Sequence, residues 1–128
     1  MNATVVGKVY PETTFVVDRE RVAAFRSVFD ETHGVPATFV TAAEFAVMPT
    51  IVGDPELALD FTRILHGSQE YAFYRPLREG ETLIVRSRIE SIRSLGGSAF
   101  LTIVTELVGA DGDVACTARS TMIERGDR

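Results

Sequence analysis

Few side chains in this sequence could do chemistry. The histidines are His33 and His66, the one cysteine is Cys116 and the one lysine is Lys8. An imidazole titrates near neutrality, so either histidine is a candidate acid or base. His66 opens the stretch LHGSQEYAFYRPLREGETL, Leu65 to Leu83, which passes through alternating aromatics into Arg75-Pro76 and a turn at Gly80. Cys116 alternates with Val114 and Ala118, the pattern of a small buried hydrophobe rather than a nucleophile. A lone cysteine permits no internal disulfide and no cysteine-rich metal site. Schiff-base chemistry would rest on Lys8, near the N-terminus, and is set aside. Arg75, Arg78, Arg86, Arg88 and Arg93 could meet phosphates or an acidic partner. Arg86 and Arg88 share one face by a period of two, and read first as a solvated face.

The elements that must position these groups follow from periodicity. With 128 residues the chain fits one domain, residues 1–128, with one hydrophobic core. A net charge of -5 argues against a phosphate-coating nucleic-acid binder. Glu44 interrupts the longest apolar stretch well short of a membrane span, and no basic segment leads into an apolar one at the N-terminus, so a soluble cytoplasmic protein is expected. TTFVV, Thr13 to Val17, is a short strand, and Asp18 is placed to cap a following helix. Val22, Phe25, Val28 and Phe29 then recur at helical spacing, predicting an amphipathic helix from about Arg19 to Asp30. ATFVTAAEFAVM is apolar nearly all round, the mark of a central helix buried on most sides. Thr41 and Glu44 have capping-box spacing, so a start at Thr41 competes with one near Thr38, and Pro36 and Pro49 bracket either version. From Gln69 the period changes to two. Runs at 69–75, 82–93, 98–108 and 113–124 are separated by turn signals and read as successive antiparallel strands. A mostly apolar helix before a long antiparallel meander predicts an α+β hot-dog fold, a curved antiparallel sheet wrapped around a central helix.

LHGSQEYAFYRPLREGETLIV resembles the signature of the MaoC-like dehydratases, in the N-terminal-type branch also called fatty-acid-synthase-I-like dehydratase. GKVYPETTFVVDRERVAAF, PATFV and GDPELALDFTRILHG extend the likeness over nearly the whole chain. The resemblance implies a hot-dog domain that pairs with another into a continuous sheet. It implies hydration of enoyl thioesters or dehydration of 3-hydroxyacyl thioesters, carried on coenzyme A or acyl carrier protein, with no metal or redox cofactor. In the family an Asp and a His act within Asp-x-Asn-Pro-x-His after the first helix. The thioester carbonyl is polarised by N–H groups at the start of the hot-dog helix, which places Ala37 and Thr38 among the expected substrate contacts.

The sequence departs from that motif. After Asp30 it reads Glu31-Thr32-His33-Gly34-Val35-Pro36, without Asn-Pro, where longer relatives carry roughly fifteen or more further residues. Asp30 matches the catalytic Asp by position, or else is a solvated residue ending a helix. His33 follows it by three residues rather than five and is the candidate partner, because an imidazole beside a carboxylate can move the protons that water addition requires. By the same resemblance His66 falls at the start of a sheet strand, away from that motif, and reads as structural or pocket-rimming. Arg75 and its neighbours could meet coenzyme A phosphates or an acidic carrier. The leading expectation is a hydratase or dehydratase of acyl thioesters. The alternatives are a non-catalytic subunit that shapes the acyl tunnel of a heterodimer, and a redirected hot-dog enzyme such as a thioesterase.

Overall fold

The computed structural model describes residues 1–126. Strand β1 (Thr13–Val16) leads into helix α1 (Arg19–Val28), and helix α2 (Val40–Val52) follows a 3-10 turn at Ala37–Phe39. Strands β2 (Ile64–Phe73), β3 (Thr82–Leu95), β4 (Ser98–Val108) and β5 (Val114–Glu124) complete one antiparallel sheet, in the order β1-β3-β4-β5-β2. The expected hot-dog arrangement is therefore present, with α2 on the inner face. No helix among the described residues is long and apolar enough to cross a membrane.

The local chemistry explains the boundaries. The Asp18 carboxylate accepts a hydrogen bond from the Arg21 N–H at 3.0 Å, satisfying one of the unpaired donors of the first turn of α1. The helix stops at Val28, two residues short of the expected Asp30, which instead turns into the left-handed region at φ 55°. Gly96 and Gly97, both at positive φ, make the two-residue turn that sets Leu95 opposite Ser98 between β3 and β4. Two expected limits are corrected. Strand β2 starts at Ile64 rather than Gln69, and α2 runs through Pro49 to Val52.

The core lies between α2 and the inner sheet face: Val40, Ala43, Val47 and Ile51 meet Leu83, Ile89, Leu101, Ile103 and Leu107, each essentially inaccessible. Roughly 25 cal/mol per Å2 of apolar surface buried is the stabilisation such packing brings. Phe39 joins α1 to this core, with its ring 5.5 Å from Phe25 edge-on and 6.2 Å from Phe15. Of the residues expected to form the buried stripe of α1, Val22 is buried and Phe25 partly so, while Val28 and Phe29 are exposed. Nor is α2 enclosed all round. Phe45, Ala46, Pro49 and Thr50 face outward, and Phe45, Met48, Pro49, Val52, Gly53 and Phe61 line an apolar groove.

Candidate functional site

The start of α2 is the first element to consider. Pro36 precedes the 3-10 turn and offers no N–H, and its carbonyl accepts from the Phe39 N–H at 3.0 Å. Among the described residues the N–H groups of Ala37 and Thr38 donate to nothing, and no side chain caps them. Free donors at a helix start attract negative charge. Ala37 lines a cavity of about 320 Å3 together with Val35, Pro36, Phe73, Arg75 and Leu77. The structure thus brings Ala37 and Arg75 to one cavity, with Thr38 beside it.

Arg75, however, is engaged mainly by carboxylates of its own chain. Its Nε donates to Asp113 at 2.6 Å, Nη1 and Nη2 donate to the two carboxylate oxygens of Glu81 at 3.0 and 2.8 Å, and Nη1 also reaches the Pro76 carbonyl. The bidentate pair and the second carboxylate raise its pKa further, and the guanidinium in turn holds Asp113 down at about 2. Arg75 clamps the turn after β2 to the β4–β5 turn with four of its five N–H donors, leaving one on Nη2.

Asp30 and His33 are not brought together. Both are exposed, and the His33 Nδ1 lies 3.1 Å from the Thr32 hydroxyl. Among the described residues the Asp30 carboxylate has no partner. The connection carrying them is held by Arg26 Nη1, which donates to the Gly34 carbonyl at 2.9 Å and to Glu79 at 2.6 Å.

A different constellation lies between α2 and β2. Glu44 is 2% exposed, yet its carboxylate forms no ion pair among the described residues: it accepts from Gln69 Nε2 and from the Tyr71 hydroxyl, each at 3.0 Å. Burial pushes the Glu44 pKa up, partly opposed by the two donors. Burial likewise raises Tyr71 to about 12, which keeps its hydroxyl protonated, and the Thr41 hydroxyl is 2.7 Å from it. Glu44 and Tyr71 thereby fix the direction of the chain: Thr41 donates to Tyr71 and Tyr71 donates to the carboxylate. Gln69 gives its amide N–H to Glu44, so its oxygen faces His66 Nε2 at 3.1 Å, with Ser120 Oγ also 3.1 Å from that nitrogen. An amide oxygen only accepts, so Nε2 carries the proton and Nδ1 is the open nitrogen. Thr41 and Glu44 lie four and seven residues beyond Ala37, on one face of the helix. The seam therefore runs from the free donors at Ala37 and Thr38 along β2 to His66.

Sequence reading missed this seam for a specific reason. Strict alternation puts His66 and Gln69 on opposite faces of a strand. A bulge at Gly67 adds one residue: His66 pairs with Met122, Ser68 with Thr121 and Gln69 with Ser120, so His66, Gln69, Tyr71 and Phe73 share the inner face. Glycine fits closely there: a Cβ would stand 2.9 Å from Ile123 Cδ1 and 3.3 Å from the Thr121 carbonyl, so both would have to give way. The available signal was Glu44, the sole charge between Ala37 and Val52, where a buried carboxylate demands donors from a neighbouring strand. The Thr41–Glu44 capping box does not form.

The family model for the FAS1-like dehydratase domain region matches residues 4–118. A UPF0336 protein of Streptomyces avermitilis is 32% identical over 143 residues, covering 98% of this chain and 95% of its own. One from Saccharopolyspora erythraea is 29% identical over 144 residues, covering 98% and 92%. That alignment is longer than the chain itself, so the relative carries residues that this chain lacks. Among solved structures, the C-terminally truncated HadBC (3R-hydroxyacyl-ACP dehydratase) complex of Mycobacterium tuberculosis superposes with TM-score 0.79 at 22% identity, over 93% of this chain and 96% of that one. The (R)-hydratase of A. caviae involved in PHA biosynthesis gives 0.68 at 14%, over 91% and 94%. At these identities the solved structures speak to the fold, and they share the hot-dog arrangement described above. Sequence, fold and the extent of the family match agree: the chain belongs to the FAS1-like dehydratase-region family.

Proposed function

We propose that this chain is a hydratase or dehydratase of acyl thioesters, acting on enoyl or 3-hydroxyacyl groups carried by coenzyme A or acyl carrier protein. The observation that carries the reading is the pair of N–H donors at Ala37 and Thr38, unpartnered among the described residues, with Ala37 in the lining of a largely apolar cavity. Adding water to a 2-enoyl thioester moves charge onto the thioester oxygen as hydroxide attacks the β-carbon. Donors already aimed at that oxygen lower the barrier without reorganising. The apolar walls formed by Val35, Pro36, Phe73 and Leu77 exclude bulk water and suit an acyl chain. Membership of the dehydratase-region family supports the same chemistry.

Ala37→Pro tests the reading directly. Proline at the first helical position has no N–H and a compatible φ, and Pro36 before it is extended at φ -56°, ψ 140°, as a residue preceding proline must be. If the Ala37 N–H stabilises the developing oxyanion, turnover of enoyl thioesters falls about 10²–10³-fold with the fold retained. Unchanged turnover would remove that donor from the mechanism.

The exposure of Asp30 and His33 favours a second reading, a tunnel-shaping subunit whose partner brings an intact Asp-x-Asn-Pro-x-His. The two separate on purification: activity of the chain alone supports the first, and activity only after a motif-bearing hot-dog chain is added supports the second. Fifteen or so missing residues could instead admit bulkier substrates, so plain acyl thioesters belong in the same assay as a check for hydrolysis.

A further inference from the structure

The seam between α2 and β2 is a chain of hydroxyls that starts beside the cavity and ends on a buried carboxylate. Thr41 lies four residues beyond Ala37 on one face of the helix, which puts their Cβ atoms about 5–6 Å apart. On β2, Tyr71 precedes Phe73 by one inner-face position, with ring centres 6.3 Å apart. Thr41 and Tyr71 are therefore the next step along the two elements from Ala37 and Phe73, which line the cavity. Exposure falls along the same path: Phe73 is exposed, Thr41 and Tyr71 are half-buried, and Glu44 is buried. Both hydroxyls already point inward, Thr41 donating to Tyr71 at 2.7 Å and Tyr71 to Glu44 Oε1 at 3.0 Å. Among the described residues nothing donates to Thr41 Oγ, whose lone pairs are the open end of the path. A merely structural tie would be made as well by glutamine, whose amide suits the same two partners without burying a charge. What the carboxylate adds is the capacity to take a proton.

We propose that Glu44 is the proton acceptor of this site, and that Tyr71 and Thr41 pass protons between it and the reacting substrate. The inference rests on the thioester reading for its chemistry. A thioester whose oxygen meets the N–H groups of Ala37 and Thr38, with its acyl chain directed along α2, brings its α- and β-carbons to Thr41. Water held at Thr41 Oγ gives a proton to that oxygen while its own oxygen bonds to the β-carbon. In the same step the Thr41 proton passes to Tyr71 Oη and the Tyr71 proton to Glu44, so neither hydroxyl carries a charge. The alkene electron pair moves onto the thioester oxygen as an enolate, held by the two N–H groups. The proton then returns from Glu44 by the same path to the α-carbon. Water and the enoyl thioester are consumed and the 3-hydroxyacyl thioester is formed; dehydration is the reverse. Thr41 touches the reacting atoms, and Tyr71 and Glu44 act through it. With protons taking this route, the exposed Asp30 and His33 are dispensable.

The titratable groups that face Glu44 are Tyr71 and His66 on β2 and Cys116 on β5. Burial lifts Glu44 above its ordinary 4.5, opposed by the Gln69 and Tyr71 hydrogen bonds and then by the charge on His66. Hydration requires the carboxylate, so the acid limb of kcat/KM should lie above pH 4.5 and move to higher pH in His66→Ala. The relay is read by turnover of a short enoyl-coenzyme A in the full chain. Thr41→Val keeps the shape of the side chain without its hydroxyl and should lower hydration by about 10²–10⁴-fold, while Thr41→Ser restores most of it. Glu44→Gln keeps both hydrogen-bond partners, should fall as far, and should lose the acid limb in what activity remains. Should Thr41→Val fail to fold, Glu44→Gln and the pH profile read the same relay. Full turnover in either variant, no recovery in Thr41→Ser, or an acid limb that survives in Glu44→Gln or stays in place in His66→Ala overturns it. A fall in Ala37→Pro beside full turnover in Thr41→Val overturns the relay alone. A wild-type chain inactive on both enoyl and 3-hydroxyacyl thioesters overturns the relay together with the functional reading.

Discussion

Glu44→Gln isolates what a buried carboxylate costs in this fold. The amide can replace the carboxylate without stranding a partner. Its oxygen accepts from Gln69 Nε2, its N–H donates to the Tyr71 oxygen, and Tyr71 then donates to Thr41, reversing a hydroxyl pair now 2.7 Å apart. Hydrogen-bond loss is therefore small, and the difference between the two proteins is the proton. Burial raises the folded pKa of Glu44 above its ordinary 4.5, so between the unfolded and folded values the unfolded chain has released the proton and the folded chain has kept it. Stability relative to the variant is then full below pH 4.5 and is lost as pH rises towards the folded pKa, with a limiting slope of about 1.4 kcal/mol per pH unit. Urea unfolding of both proteins from pH 4 to 8, at one protein concentration, measures the difference. Glu44→Gln should gain on wild type as pH rises, then level off. A constant difference, or one that moves towards wild type with rising pH, refutes the reasoning. Glu44→Ala is the contrast: it leaves Gln69 Nε2 and the Tyr71 hydroxyl without acceptors and should destabilise by about 1–3 kcal/mol for each unsatisfied group.

Gly67→Ala forces a methyl against Ile123 and the Thr121 carbonyl and should cost about 1–3 kcal/mol in urea unfolding, with the His66 ring resonances shifted as the bulge moves. Arg75→Lys keeps the charge but loses the fork between Glu81 and Asp113, so it should lower stability by about 2 kcal/mol while leaving the Michaelis constant for coenzyme A thioesters unchanged. Asp30→Asn and His33→Ala should keep most activity, because neither side chain is held at the cavity; a loss of about 10²–10⁴-fold would return them to the mechanism. Cys116, buried and with its thiol pushed up to about 11, should react with a thiol reagent only at the rate of unfolding.

The parts of the fold legible in the sequence were those with a repeating signal. Strands β3, β4 and β5 show period two and end at glycine turns, and Asp18 caps α1 as its type and place require. Ala37 and Thr38 were named through the family resemblance alone, since no pattern in the residues marks which N–H groups at a helix start stay unpartnered. What failed was periodicity applied across an irregularity. Gly67 breaks the alternation, so the inner face of β2 reads incorrectly upstream of Gln69, and β2 itself was started five residues late. Val28 and Phe29 matched a helical stripe, but spacing alone does not provide a surface for them to pack on, and α1 ends beside solvent. Pro49 reads as a bracket at the end of α2, yet the helix continues through it to Val52, with Pro49 on the exposed side.

The connection from α1 to α2 decides where chemistry can reside. Phe25 and Phe39 meet edge to face at 5.5 Å, so the two helices are clamped together at the very point where the connection leaves one and enters the other. Few residues suffice to bridge that gap, and Arg26 ties them down by binding both the Gly34 carbonyl and Glu79 on the β2–β3 turn. Val35 and Pro36 of this strap line the cavity with apolar groups, and the polar groups come from the two elements beside it, the first turns of α2 and the strand β2. The first offers the free N–H groups of Ala37 and Thr38, and the second carries Tyr71, Gln69 and His66 along the seam that leads away from the cavity. Among the described residues the sheet leaves β2 unpaired on its outer side, so the row of His66, Gln69 and Tyr71 runs along an open edge rather than under a long strap.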